Sequence, residues 1–167
     1  MCGIIYIELK KPHKKGDGIM KTLVFDMDGT LCDFYGVPNW LEYLENEDTT
    51  PYEVAKPLYN MDEMKNILET LKNKNYQVII VSWLAKNGTK EYNARTRKAK
   101  LEWLKKYEFP YDEIHLVKYG TTKANCVRKK DCFQFLFDDN AQVRKGWTLG
   151  ATVNANNDIL SYLQAMV

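Results

Sequence analysis

The first residues able to do chemistry lie in Lys21 to Asp33, KTLVFDMDGTLCD. Asp26 and Asp28 stand two residues apart, directly after the apolar run Thr22-Leu-Val-Phe25. In an extended chain residues i and i+2 point the same way, so both carboxylates are expected in one pocket. Two carboxylates that close are stable only if a cation sits between them or one keeps its proton. Gly29 permits a sharp turn that brings bare N–H groups toward an anion, and the Thr30 hydroxyl follows it. A strand end, a carboxylate pair and a glycine turn together suggest metal-assisted phosphate chemistry. Taken alone, the stretch also fits an acidic turn after a strand.

Two later features share the pattern of a polar group closing an apolar run, and a third, a lysine, opens an expected helix. Ser82 ends Val78-Ile-Ile-Val81 and is expected to donate its hydroxyl to a phosphate. Lys123 follows Thr121-Thr122 at an expected helix start. A lysine there opposes the helix dipole, which a nearby anion explains, and Lys118 is the rival for a phosphate-binding role. Asp138 and Asp139 close Phe133-Gln-Phe-Leu-Phe137.

These residues need a scaffold. The apolar runs at 22–25, 78–81, 114–117, 133–137 and 151–153 predict strands. Between them, Met64, Ile67, Leu68 and Leu71 mark an amphipathic helix over Met61 to Lys72. Further helices are expected at 39–44, with Asn39 as its cap, at Glu91 to Tyr107 and at Ile159 to Met166. In the Glu91 helix, Ala94, Ala99, Leu101, Trp103 and Leu104 are expected inside, with Arg95, Arg97, Lys98 and Lys100 on a solvated face. His115 alternates with apolar neighbours and reads as structural. Strands alternating with helices predict an α/β fold, a Rossmann-like three-layer sandwich with a mainly parallel sheet and right-handed crossovers. Ligands in such sheets bind outside the carboxyl ends of the strands, where Asp26, Asp28, Ser82 and Asp138/Asp139 all fall.

The 167 residues fit one domain, expected over 20–167, with a minimal cap around 34–58. Residues 1–19 form an N-terminal extension, flexible or an edge strand at Ile4 to Ile7, followed by a Lys-rich linker. A net charge of +2 gives no strong signal for nucleic acid or a membrane surface. No apolar run approaches the roughly 18 residues of a membrane span, and the first residues predict no secretory leader. Cys2, Cys32, Cys126 and Cys132 form no CxxC pair, so free thiols in a reducing, cytoplasmic compartment are expected.

The order DxDGT, strand-terminal Ser, Lys at a helix start and strand-terminal DD resembles the haloacid dehalogenase superfamily, from Lys21 to the C-terminus. DMDGTLCDF is also similar to the opening of the 5'(3')-deoxyribonucleotidases, with Thr30 where those enzymes carry Val. The resemblance implies a phosphatase with a small cap. Asp26 would be the nucleophile that forms an aspartyl-phosphate, and Asp28 the acid and base around it. It implies Mg²⁺ held by Asp26, the backbone carbonyl of Asp28, Asp138 and Asp139, the last directly or through water. Ser82, Lys123, Gly29 and Thr30 would hold the phosphate. Trp83, Tyr35 and Trp40 are candidate substrate-binding residues, because an aromatic face beside a phosphate site can stack on a nucleobase. The expected substrate is a small phosphorylated molecule, a nucleoside monophosphate first, so that the chain would be a 5'-nucleotidase. A sugar phosphate, a nucleic-acid phosphate end, phosphotransfer and a receiver-like phosphate-responsive module are the alternatives.

Overall fold

The computed structural model describes residues 20–127 and 133–167. The expected strand at Ile4 to Ile7 and the whole 1–19 extension lie outside the described residues. Among the described residues five strands form the sheet: β1 (Lys21–Phe25), β2 (Tyr76–Trp83), β3 (Glu113–Val117), β4 (Gln134–Asp138) and β5 (Gly150–Asn154). Their order is β3-β2-β1-β4-β5, and every pairing is parallel. The central strands read as unbroken apolar runs because both sheet faces are covered. β1 touches β2 and β4 with Phe25 level with Ile80 on one side and Phe137 on the other. The chain runs outward from β1 through β2 to β3, then returns to build β4 and β5 on the opposite flank. The change of direction falls between β1 and β4, which places a crevice at their carboxyl ends.

The two faces differ in depth. On one, Leu23, Phe25, Val78, Ile80 and Phe137 meet α3 (Met61–Asn73), α4 (Lys90–Lys106) and α6 (Ile159–Gln164) in the larger core. α3 buries the expected stripe Met64, Ile67, Leu68 and Leu71 and is opened by Asn60, whose side chain accepts from the amides of Asp62 and Glu63. Full burial of each such aliphatic chain contributes about 1.5–3 kcal/mol. On the other face, Val24, Ile79, Val81 and Leu136 pack on Val127 and Trp147 in a thin second layer, against which α5 (Ala141–Lys145) rests Val143.

α4 departs from the expected pattern. Its buried side is Tyr92, Thr96, Ala99, Lys100, Trp103 and Leu104. Ala94 is exposed and Leu101 only partly buried. The stripe is rotated so that Lys100, expected in solvent, lies inside with 1% of its surface exposed. The expected helix after Thr122 is a single 3₁₀ turn, Lys123–Asn125, and Thr122 makes no side-chain cap to it.

The region expected as a cap, 34–58, holds α1 (Trp40–Glu45) and α2 (Thr50–Val54). Asn39 precedes α1 in a left-handed conformation and makes no side-chain cap. Phe34, Tyr52 and Ala55 are buried in the main core, so the cap has no separate interior. It is tied to α4 along its length. The Glu47 carboxylate accepts from the amide and hydroxyl of Thr89, and Tyr92 donates to the Asp48 carbonyl at 3.0 Å. Trp103 donates to the Ala55 carbonyl at 2.7 Å.

Candidate active site

The loop after β1 winds around one acceptor. The Met27 carbonyl receives the amides of Thr30, Leu31 and Cys32 at 2.8–3.1 Å, and the Gly29 amide donates to the Cys32 carbonyl at 2.9 Å. Gly29 sits at φ 73°, and a Cβ there would stand 2.6 Å from Asp139 Oδ2 and 2.8 Å from Tyr35 Cε2. Only glycine allows both the turn and that approach. The Thr30 hydroxyl accepts from the Asp139 amide at 3.2 Å and so joins the loop after β1 to the loop after β4.

Asp26, the first residue beyond β1, donates its amide to the Phe137 carbonyl at 3.0 Å and lies in the β1–β4 crevice. Lys123 Nζ stands 2.8 Å from Asp26 Oδ1 and 2.7 Å from Asp138 Oδ2, and is itself almost completely buried. The ammonium also lies 5.3 Å from the Trp83 ring centre. The second oxygen of Asp138 accepts from the Asn140 amide at 2.8 Å, and Arg144 donates to the Asp138 carbonyl at 2.8 Å. One oxygen each of Asp26, Asp138 and Asp139 lie within 4.8 Å of one another.

The electrostatics follow from this crowding. Burial, then the Asp26 charge, lift Asp138 to about 7 against the pull of Lys123. Burial and Asp26 likewise lift Asp139 to about 6. Burial pulls the Lys123 ammonium toward neutrality, but Asp26 and Asp138 outweigh it and raise its pKa above the ordinary lysine value. One ammonium therefore faces three carboxylates. The set is all oxygen, acidic and short of positive charge, which fits a hard divalent cation such as Mg²⁺.

Asp28 has a different neighbour. Its Oδ2 is 2.6 Å from Lys100 Nζ, in a side chain 17% exposed. Burial raises its pKa, Lys100 opposes that, and Asp26 adds to it. Two acids two residues apart thus each hold their own buried lysine.

A cleft of about 570 Å³ opens over these groups. Of the sequence-derived candidates, Asp26, Asp28, Tyr35, Trp40, Trp83, Lys123, Asp138 and Asp139 line it. Ser82, Thr30 and Gly29 do not. Ser82 is fully buried behind the wall, with its hydroxyl 2.9 Å from Lys100 Nζ. Thr30 is fully buried at the junction of the two loops. Gly29 lines an adjoining cavity with Asp139 and Tyr35. Lys118 is exposed and belongs to neither cavity. His115 is half-buried on the edge strand, 2.8 Å from Glu113. Sequence reasoning missed Lys100. The signal was its spacing: Tyr92, Thr96, Lys100 and Trp103 recur at i, i+4, i+8 and i+11, one helical face. Lys86 and Tyr119 at the cleft mouth were also missed.

Aromatic rings flank the cleft. On the cap side Tyr35 meets Trp40 edge-on at 5.1 Å. On the other, Trp83 lies 4.8 Å from Tyr119 and is fixed by donation from its indole to the Thr121 carbonyl at 2.8 Å. Lys86 stands 5.7 Å from the Tyr119 ring centre. No helix among the described residues is long and apolar enough to cross a membrane.

No protein-family model matches the chain, and no curated protein matches it in sequence. Solved structures do. A chain of the Pnkp1/Rnl/Hen1 complex matches with a TM-score of 0.51 and 23% identity over 83% of this chain. This chain spans 47% of that one, about half its length. D,D-heptose 1,7-bisphosphate phosphatase from Burkholderia thailandensis gives a TM-score of 0.48 at 12% identity, covering 87% of this chain and 97% of that one. The HAD domain of the effector protein Lem4 from Legionella pneumophila gives 0.44 at 14% identity, covering 89% and 94%. Identities this low speak to architecture alone. The match above 0.5 shows a shared α/β architecture, built in this chain as an all-parallel five-stranded sheet with acids at its strand ends.

Proposed function

We propose that this chain is a Mg²⁺-dependent phosphomonoester hydrolase that works through an aspartyl-phosphate on Asp26 and acts on nucleoside monophosphates. The observation that carries the reading is the meeting of Asp26, Lys123, Asp138 and Asp139 at the floor of an open cleft. Asp26 has one oxygen on Lys123, so the carboxylate is oriented for attack. Asp26 attacks phosphorus as the ester P–O bond breaks, and Asp28 gives a proton to the departing oxygen. Asp28 then takes a proton from the water that hydrolyses the acyl phosphate. Lys123, itself almost completely buried, offsets the negative charge of the phosphoryl oxygens. Asp26, Asp138 and Asp139, with the Asp28 carbonyl, would hold Mg²⁺, which supplies charge neutralisation at the phosphoryl group.

The nucleotide preference rests on the rings. Trp83 and Tyr119 on one wall and Tyr35 and Trp40 on the other give a phosphate-bearing base a flat apolar surface to stack on. A sugar phosphate would leave that surface uncovered. The test is phosphate release from a panel of nucleoside 5'- and 3'-monophosphates and sugar phosphates, with Mg²⁺, with EDTA, and with Asp26→Asn as the control. Mg²⁺-dependent release concentrated on nucleotides is expected. Release from sugar phosphates alone would keep the chemistry and discard the substrate, and release undiminished in Asp26→Asn would sink the mechanism.

A further inference from the structure

Among the described residues Lys100 is the most thoroughly enclosed cation, and the reaction above gives it no task. Its Nζ lies 2.6 Å from Asp28 Oδ2, 2.9 Å from Ser82 Oγ and 2.9 Å from the Trp83 carbonyl. An ammonium has three N–H donors, so every one has a partner. The face of Tyr52 closes the remaining side at 5.1 Å. A flexible side chain is thereby reduced to one position, set by α4 on one side and the last residues of β2 on the other. Burying a lysine this way is costly unless its partners are fixed. A hydrophobic residue would have served packing better, since Tyr92, Trp103 and Leu104 surround it on the same helix face.

We propose that Lys100 is a positioning residue for Asp28, holding Oδ2 so that Oδ1 alone faces the ester oxygen and carries the proton. Among the described residues, Oδ1 has only a long contact with the Cys32 thiol at 3.9 Å, which leaves it free to work. In the step, Oδ1–H passes its proton to the ester oxygen, which leaves with the electron pair of the broken P–O bond as a neutral alcohol. The new bond joins phosphorus to Asp26. Ser82 belongs to this arrangement: its hydroxyl braces Lys100 from behind the wall. The role rests on the phosphohydrolase reading above.

A leaving group that needs no proton tests it. We compare kcat/KM, which reports the first chemical step, for a nucleoside monophosphate and for p-nitrophenyl phosphate in wild type, Lys100→Met, Lys100→Arg and Ser82→Ala. Lys100→Met should lose about 100-fold on the nucleotide and about tenfold less than that on the aryl ester, with KM little changed, because a misplaced general acid penalises the poor leaving group far more than the good one. Lys100→Arg, which keeps charge and donors, should recover part of the nucleotide rate. Ser82→Ala should shift the ratio the same way by less. Equal losses on both esters in a folded Lys100→Met would show a merely structural lysine and overturn the proposal. If Lys100→Met lacks a cooperative thermal transition, the ratio is read from Lys100→Gln, and a wild-type ratio there overturns it equally. Wild type that hydrolyses neither ester overturns the phosphohydrolase reading and this role with it, whereas active wild type with unaltered variant ratios overturns the Lys100 role alone.

Discussion

Replacing Asp26 by Asn should abolish turnover and, without metal, leave the protein at least as stable as before. Removing one member of a buried ion pair ordinarily costs about 3–5 kcal/mol. Here the neighbours nearly cancel. Asp26 sits 2.8 Å from Lys123 Nζ and within 4.8 Å of both Asp138 and Asp139. At an effective dielectric of about 20, the attraction is worth about 6 kcal/mol and each repulsion about 3.5 kcal/mol. At a pH where Asp138 and Asp139 are ionised, the two repulsions outweigh the attraction by about 1 kcal/mol, before any desolvation of Asp26 is counted. Asparagine keeps the shape and removes the charge. In EDTA at pH 8 the variant should therefore melt at or about 2–4 °C above wild type.

Adding Mg²⁺ reverses the order. A cation at 100 times its dissociation constant stabilises wild type by about 2.7 kcal/mol, and the variant, lacking one ligand charge, by less. The assay is a thermal melt of both proteins in EDTA and in Mg²⁺, beside phosphate release. A variant that melts more than about 6 °C below wild type in EDTA would refute the charge-crowding account. So would an equal rise of both proteins in Mg²⁺.

Lys123→Met leaves three acids without their cation and should cost about 3–5 kcal/mol in urea unfolding at pH 8, with no turnover. A loss under about 1 kcal/mol would show that water reaches the cluster. Gly29→Ala forces a side chain into φ 73° and into Asp139 Oδ2, so a loss of about 1–3 kcal/mol is expected, with activity reduced further because Asp139 is displaced. Asp138 binds its proton more tightly folded, at about 7, than unfolded, at 3.8. The folded state therefore holds the extra proton between those values, and metal-free stability falls as pH rises from about 4 to about 7, by up to about 4 kcal/mol from this group. Melts in EDTA at pH 5 and pH 7.5 should show that fall in wild type and a flatter profile in Asp138→Asn. A protein starting at Met20 should keep a cooperative melt, since β1 already has a partner on each side.

The sheet and most of its helices were legible because their signals are local. The run at Leu23–Phe25 and the 3.6-residue period at Met64, Ile67, Leu68 and Leu71 each identify an element without reference to any other. Strand-terminal acids were legible for the same reason, since a run that ends in Asp marks its own carboxyl end. What failed was identity of neighbours. Ser82 stands at a strand end as expected, but which face it takes depends on the register of β2. It follows Ile80 into the main core, and its hydroxyl meets α4 rather than the cleft. Lys123 was read from a helix dipole that is not there, since a single 3₁₀ turn carries it. Its burial between Asp26 and Asp138 has a tertiary cause. Lys100 was assigned to solvent by residue type, while the helical period placed it inside. The helical period prevails over residue type in the fold because the Asp28 carboxylate meets the end of the Lys100 side chain.

The two lysines explain how neighbours in sequence come to hold different charges. Asp26 continues the side of β1 that carries Val24, the face of the thinner layer, and Lys123 reaches it from beside Ala124 and Val127 on that same layer. One residue on, Met27 is buried in the main core, and the loop then folds around its carbonyl. Asp28 emerges from that turn beside α4, on the thick side of the sheet, where Lys100 meets it. Strand alternation alone would have left both acids on one face, competing for one cation. The turn at Met27 instead places them astride the sheet edge while both still line the cleft. Each layer of the fold supplies one ammonium to one acid. The acid beside Lys123 also shares space with Asp138 and Asp139, where a divalent cation fits, and the acid beside Lys100 does not. In the proposed reaction a nucleophile that stays charged and an acid that carries a proton would require that separation. A doubly wound sheet provides it at its switch point with two residues of chain.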